Sequence, residues 1–121
     1  MEVTNEHLAE LLYKSLKGIS IITSDNENFI DSISFFFDTE QLIITPIADT
    51  DEVKLVLLKE SPAISETSTV LSGFIGQTLH YTWTGTNTNG YNDIFMMAFG
   101  DLLPDFIIIS EGSSLKILNV S

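Results

Sequence analysis

The stretch FIDSISFFFDTEQLIITPIADTDEVKLVLL, residues 29–58, decides the fold. Ile33, Phe35 and Phe37 alternate with Ser32, Ser34 and Phe36, the period of two expected of a strand with one fully apolar face. Asp38-Thr39-Glu40 is a polar turn, and a second apolar run, Leu42 to Ile47, follows it. Pro46 has no amide proton to give a ladder, so that run ends there or lies at an edge. The acidic turn Asp49-Thr50-Asp51-Glu52 then leads into Val53 to Leu58. Connections this short join antiparallel neighbours, and the three runs read as a meander.

Upstream, Leu8, Leu11, Leu12 and Leu16 form one stripe at helical spacing. Thr4 is the expected N-cap, Val3 and Leu8 form a hydrophobic staple, and Gly18 supplies the left-handed stop. Between that helix and the meander, Ile19 to Thr23 is β-branched and Ser24-Asp25-Asn26-Glu27-Asn28 is turn chemistry. Downstream, Ser61-Pro62 breaks the strand pattern, and Val70, Leu71, Phe74 and Ile75 return to helical spacing between Ser68 and Gly76. Leu79, Tyr81 and Trp83 alternate again, Asn89-Gly90 is a strong hairpin signal, and Tyr91 to Phe99 pairs back. Phe106 to Ser110 and Leu115 to Val120 flank a Gly-Ser turn. The expected class is α+β: an N-terminal helix on an antiparallel meander of about six or seven strands, with a short second helix near 67–75. Residues 1–121 are expected to form a single domain.

Charge narrows the function classes. Seventeen acids face five lysines, with no arginine, for a formal net charge of −12. Nucleic acids and anionic membranes call for a cationic footprint, so neither is expected as a partner. The absence of cysteine removes disulfides, thiolate nucleophiles and soft metal sites together. An acidic, polar N-terminus does not read as a secretory signal, and no apolar run reaches bilayer-spanning length, so a cytoplasmic protein is expected.

The residues that carry chemistry elsewhere are sparse here. His7 and His80 lie far apart without ligand spacing, and a metal site would need both to converge with an acid such as Asp93. Asp49, Asp51 and Glu52 crowd one turn, but an apolar strand follows where a calcium loop needs further ligands. Gly73-Phe74-Ile75-Gly76 is too short and apolar to cradle phosphate. No catalytic, cofactor-binding or metal-ligating residue is expected, and no enzyme.

The most distinctive pattern is Trp83-x-x-x-Asn87-x-x-Gly90-Tyr91-x-Asp93. From Ile75-Gly76 through these residues to Ser113–Val120, the chain resembles a family of small bacterial proteins with a Trp…Asn…Gly-Tyr-x-Asp hairpin before two terminal strands. Such small acidic proteins include immunity proteins of polymorphic or contact-dependent toxin systems. The resemblance implies a protein that binds and neutralises a cognate, basic toxin, such as a nuclease, by covering its active site. Carboxylates standing in for phosphates suit that task. The expected partner-facing residues are Asp25, Glu27, Asp38, Glu40, Asp49, Asp51, Glu52, Trp83, Tyr91 and Asp93. If the strands alternate through hairpins, the 25–27 and 49–52 turns fall at one end of the sheet. Two other readings compete: a self-associating adaptor that exposes Phe35, Phe36 and Phe37, and a small enzyme or ligand-binding domain built on His80, Trp83, Tyr91 and Asp93.

Overall fold

The computed structural model describes residues 3–24, 29–59, 70–100 and 102–120. Its elements are helix α1 (Asn5–Ala9) and strands β1 (Gly18–Thr23), β2 (Ile30–Phe36), β3 (Gln41–Ile47), β4 (Glu52–Leu58), β5 (Tyr81–Thr86), β6 (Asn92–Ala98), β7 (Phe106–Glu111) and β8 (Ser114–Asn119). The expected helix-on-sheet α+β class is wrong. Among the described residues the protein is one eight-stranded antiparallel sheet curled into a half-barrel, with one short α-helix.

Two four-stranded meanders make the sheet, β1–β4 and β5–β8. They join because β2 divides one of its edges. Its C-terminal half pairs with β3 from Phe36↔Gln41 to Ile33↔Ile44, and then Ile30 pairs with Leu115 of β8. Pro46 sits beyond Ile44, where β3 has β4 alongside but β2 no longer pairs with it. The proline thus falls on a locally unpaired edge, although the strand runs on to Ile47. Past that split the sheet folds over, and β4 packs against β6 and β7.

The N-terminal helix is much shorter than its leucine stripe predicts. Thr4 caps it as expected, in a capping box where His7 completes the pair of bonds: the Thr4 amide donates to His7 Nδ1 at 3.1 Å, and the His7 amide to Thr4 Oγ1 at 3.3 Å. After Ala9 the chain turns, and Tyr13 takes a positive φ of 68°. Residues 13–16 then bond to the lead-in to β5 through an isolated bridge: Tyr13 donates to the Leu79 carbonyl, Leu16 to that of Gln77, and Ser15 bridges Thr78. Leu8, Leu11 and Leu16 are all buried, so the stripe marks core positions correctly while the backbone satisfies itself by pairing across the molecule. Gly18 opens β1 and is not left-handed. The second helix shrinks to one 3₁₀ turn at Ser72–Phe74; residues 67–69 of its expected span lie outside the described residues.

The inner faces of both meanders share one apolar cluster. Ile33, Phe35 and Phe37 enter it from β2 and its end, and meet Phe95, Met97, Phe106 and Ile108 from β6 and β7. Phe106 stacks on Phe35 at 6.0 Å and lies 5.4 Å from Phe74 and 6.2 Å from Phe99. Phe36 is also buried, so no exposed phenylalanine face exists at 35–37 to carry self-association.

One acid belongs to this framework. Glu40 in the β2–β3 turn is only 5% exposed, pairs with Lys14, and accepts a bond from the Thr39 amide at 3.2 Å. It is a latch between the turn and the N-terminal segment. Replacing Lys14 by Met leaves the Glu40 carboxylate without its counter-charge and is expected to cost about 2 kcal/mol, the lysine being partly solvated. Lys14→Arg should recover most of the loss, and urea unfolding of the two variants checks both outcomes.

Candidate functional site

Antiparallel alternation sends the turns to opposite ends of the half-barrel. At the base lie the β2–β3 turn, the end of β4, and the N-terminal segment. Lysines there meet acids: Lys14 pairs with Glu40, Lys59 with Glu10, and Lys17 approaches Asp38 at 3.9 Å. At the mouth lie the β3–β4, β5–β6 and β7–β8 turns. These enclose a cleft of about 370 Å³.

The mouth turns are built to hold a shape. In the β7–β8 turn, Gly112 (φ 59°) and Ser113 (φ 69°) are both left-handed, as a two-residue type I′ hairpin demands. In the β5–β6 turn, the Asn87 side-chain oxygen accepts from the amides of Asn89 at 2.9 Å and Tyr91 at 3.2 Å, while Gly90 takes a φ of 87°. Acids brace one turn to the next. Asp51 Oδ1 accepts from the Gly112 amide at 3.0 Å, and Glu52 Oε2 from the Asn92 amide at 3.1 Å. Thr50 Oγ1 donates to the other oxygen of Glu52 at 2.9 Å. These bonds fix the spacing of loops that belong to both meanders.

The cleft itself is acidic. Asp49 and Asp51 line it from the β3–β4 turn, Asp93 from β6, and Glu111 from the end of β7, with no lysine or histidine in its lining. Lys116 is the nearby counter-charge and is engaged with Glu111 at 3.2 Å. Asn87, Asn89 and Tyr91 add amide oxygens and an aromatic wall. No three of these acids converge closely enough to hold a metal ion among the described residues.

The floor of the cleft follows from register. Met97 pairs with Phe106, Phe95 with Ile108, and Ile94 with Ile109, where the ladder ends, and Asp93 and Ser110 are the next residues on the two strands. They share the inner face with the Phe95–Ile108 and Met97–Phe106 pairs, not with Ile94–Ile109, and end that apolar column in two polar groups. Ser110 is 3% exposed. Its Oγ, together with Asp93 Oδ1, is buried without a hydrogen-bond partner in the described structure. The other Asp93 oxygen accepts from Asn87 Nδ2 at 3.4 Å.

Several expected partner-facing residues therefore gather, and others do not. Asp49, Asp51, Tyr91 and Asp93 line the cleft, with Glu52 bracing its wall. Asp38 and Glu40 lie at the opposite end in lysine contacts, and Glu40 is buried. Asp25 and Glu27 lie outside the described residues. Trp83 stacks on Tyr81 at 5.8 Å on β5, beside a shallow groove shared with Ala9 and Leu12 of the N-terminal segment. His80 meets Tyr13 edge-on at 5.8 Å. His80 and Trp83 are thus absent from the cleft that Tyr91 and Asp93 line. Ser110 and Glu111 join the site without a signal in the sequence, because their place depends on which strand lies opposite.

Fold and cleft together define a small acidic β-protein with a polar recess at one end of a curled sheet. The chain belongs to DUF6334, a family of unknown function, whose model matches residues 1–121. No curated protein and no solved structure matches it. Among the described residues, no helix is long and apolar enough to cross a membrane.

Proposed function

We propose that this protein binds a basic partner protein through the acidic mouth of the half-barrel and neutralises it, in the manner of an immunity protein against its cognate toxin. One observation carries this reading: the charge is sorted by end. Three lysines pair with acids at the base, whereas Asp49, Asp51, Asp93 and Glu111 line the mouth recess and only Glu111 among them has a lysine partner, Lys116, which lies outside the lining. A lining of one sign draws in a cationic partner and orients it as it docks. Bracing by the Asp51 and Glu52 bonds keeps the acids in place before the encounter, so little ordering is needed on binding. The Asn87–Asp93 hairpin that carries the resemblance to immunity proteins forms one wall of this recess. Blocking rather than catalysis suits a site whose polar groups are acids, amides and one hydroxyl.

Two measurements test it. Co-expression should restore growth to cells that make the toxin encoded next to this gene. The purified pair should form quickly and weaken as salt rises, because screening shortens the reach of the acidic field to about 10 Å at 0.1 M ionic strength. A neighbouring gene product that neither binds nor is silenced would remove the proposal.

A further inference from the structure

We infer that the recess receives one arginine side chain of the partner, its guanidinium donating to Asp93 Oδ1 and Ser110 Oγ. This rests on the reading that the acidic mouth meets a basic protein, and goes further by naming the group that enters.

The inference does not stand on the acids alone. Ser110 is almost wholly buried, lines the recess, and has an unpartnered hydroxyl oxygen, and Asp93, which follows the end of the β6–β7 ladder on the neighbouring strand and lines the same recess, has an unpartnered buried Oδ1. Buried polar atoms are nearly always paired, so two such atoms at neighbouring positions on one face mark a place for a donor. Both accept, one as a carboxylate oxygen and one as a hydroxyl lone pair. A single ligand that satisfies both oxygens as acceptors needs two donor groups, which one guanidinium carries.

Three features select arginine. Acids at the mouth are spread and do not converge, which suits a broad, delocalised cation better than a metal ion. Tyr91 supplies an aromatic wall, on which a guanidinium plane stacks while a strongly hydrated ammonium gains less. Finally, the chain contains no arginine, so no residue of its own supplies this group.

The test uses the intact protein, labelled with ¹⁵N and titrated with N-acetyl-arginine amide and, separately, N-acetyl-lysine amide. Arginine amide should give saturable shifts centred on the backbone amides of Tyr91, Asp93 and Ser110, and bind about fivefold more tightly than lysine amide. Ser110→Ala and Asp93→Asn should each weaken arginine binding roughly tenfold, as expected for a lost bond to a charged group. Ser110→Ala removes only a hydroxyl, so its spectrum should otherwise overlay on the parent and show that the fold is intact. Equal binding of the two amides, or shifts shared evenly with Asp38 and insensitive to Ser110→Ala, would overturn the inference. If a basic partner binds the mouth while arginine amide does not titrate, the receptor fails and the broader proposal stands. If arginine amide titrates but no protein partner engages the mouth, the assignment of that arginine to a partner protein is overturned.

Discussion

Phe106→Ala is expected to remove about 3–5 kcal/mol of stability, a large share of the roughly 5–15 kcal/mol that a domain holds. Phe106 has no solvent exposure, and its ring contacts Phe35 from the first meander, Phe99 from the second, and Phe74 from the 3₁₀ turn. Losing the ring opens a cavity where the two halves of the sheet face one another. The surrounding strands cannot collapse into it, because register pins them to their neighbours on both sides: Phe106 opposes Met97 on one side and Asn119 on the other. Phe106→Leu keeps most of the volume and should cost about 1–1.5 kcal/mol. Urea unfolding followed by tryptophan fluorescence measures both. A loss below about 1 kcal/mol for the alanine variant would mean that the meanders hold together without this contact.

The strand pattern was legible because burial imposes it. Ile33, Phe35 and Phe37 can alternate with serines only where one face is inside, and the structure buries all three. The hairpin at 85–91 was legible for a local reason, since Asn87 and Gly90 supply the loop's bonds and its positive φ. The helix was not. Its leucine stripe is real, but a period of three to four residues cannot distinguish a long helix from one turn followed by an extended segment that buries Leu16. The decisive partners of that segment, the carbonyls of Gln77 and Leu79, lie more than sixty residues away. The division of β2 between β3 and β8 is equally long-range, and it joins the two meanders into one curled sheet.

At the mouth the same distinction holds. Asp93 and Tyr91 stood out as part of a motif, and Asp49 and Asp51 as part of a dense acidic turn. Ser110 had nothing to mark it. Its significance comes from lining the same recess as Asp93, a placement that follows from the pairing of β6 with β7. Glu40 misled for the opposite reason, since an acid in a turn reads as solvated until a lysine twenty-six residues earlier in the chain is found beside it. Composition gave the amount of negative charge, and only the fold gave its sorting.

That sorting yields the second large effect. Asp93→Lys and Asp38→Lys each change the formal net charge from −12 to −10, since a negative side chain becomes positive in both. If total charge governed association, the two variants would lose the same affinity for the basic partner. Asp93 lies in the recess with one oxygen buried, whereas Asp38 is 64% exposed at the far end, beside Lys17. Reversing a charge that is desolvated on binding costs about 2–5 kcal/mol, and reversing one beyond screening distance costs little. Asp93→Lys should therefore weaken binding roughly a hundredfold, chiefly by faster dissociation, while Asp38→Lys stays within about threefold of the parent. Asp49→Lys, at an exposed position in the β3–β4 turn, guards against misfolding of the Asp93 variant and should fall between them. Equal losses at Asp38 and Asp93 would return the acidity to a diffuse steering field. A loss confined to Asp93 and Asp49 would place recognition in the recess itself, where the apolar column of β6 and β7 gives way to Asp93 and Ser110.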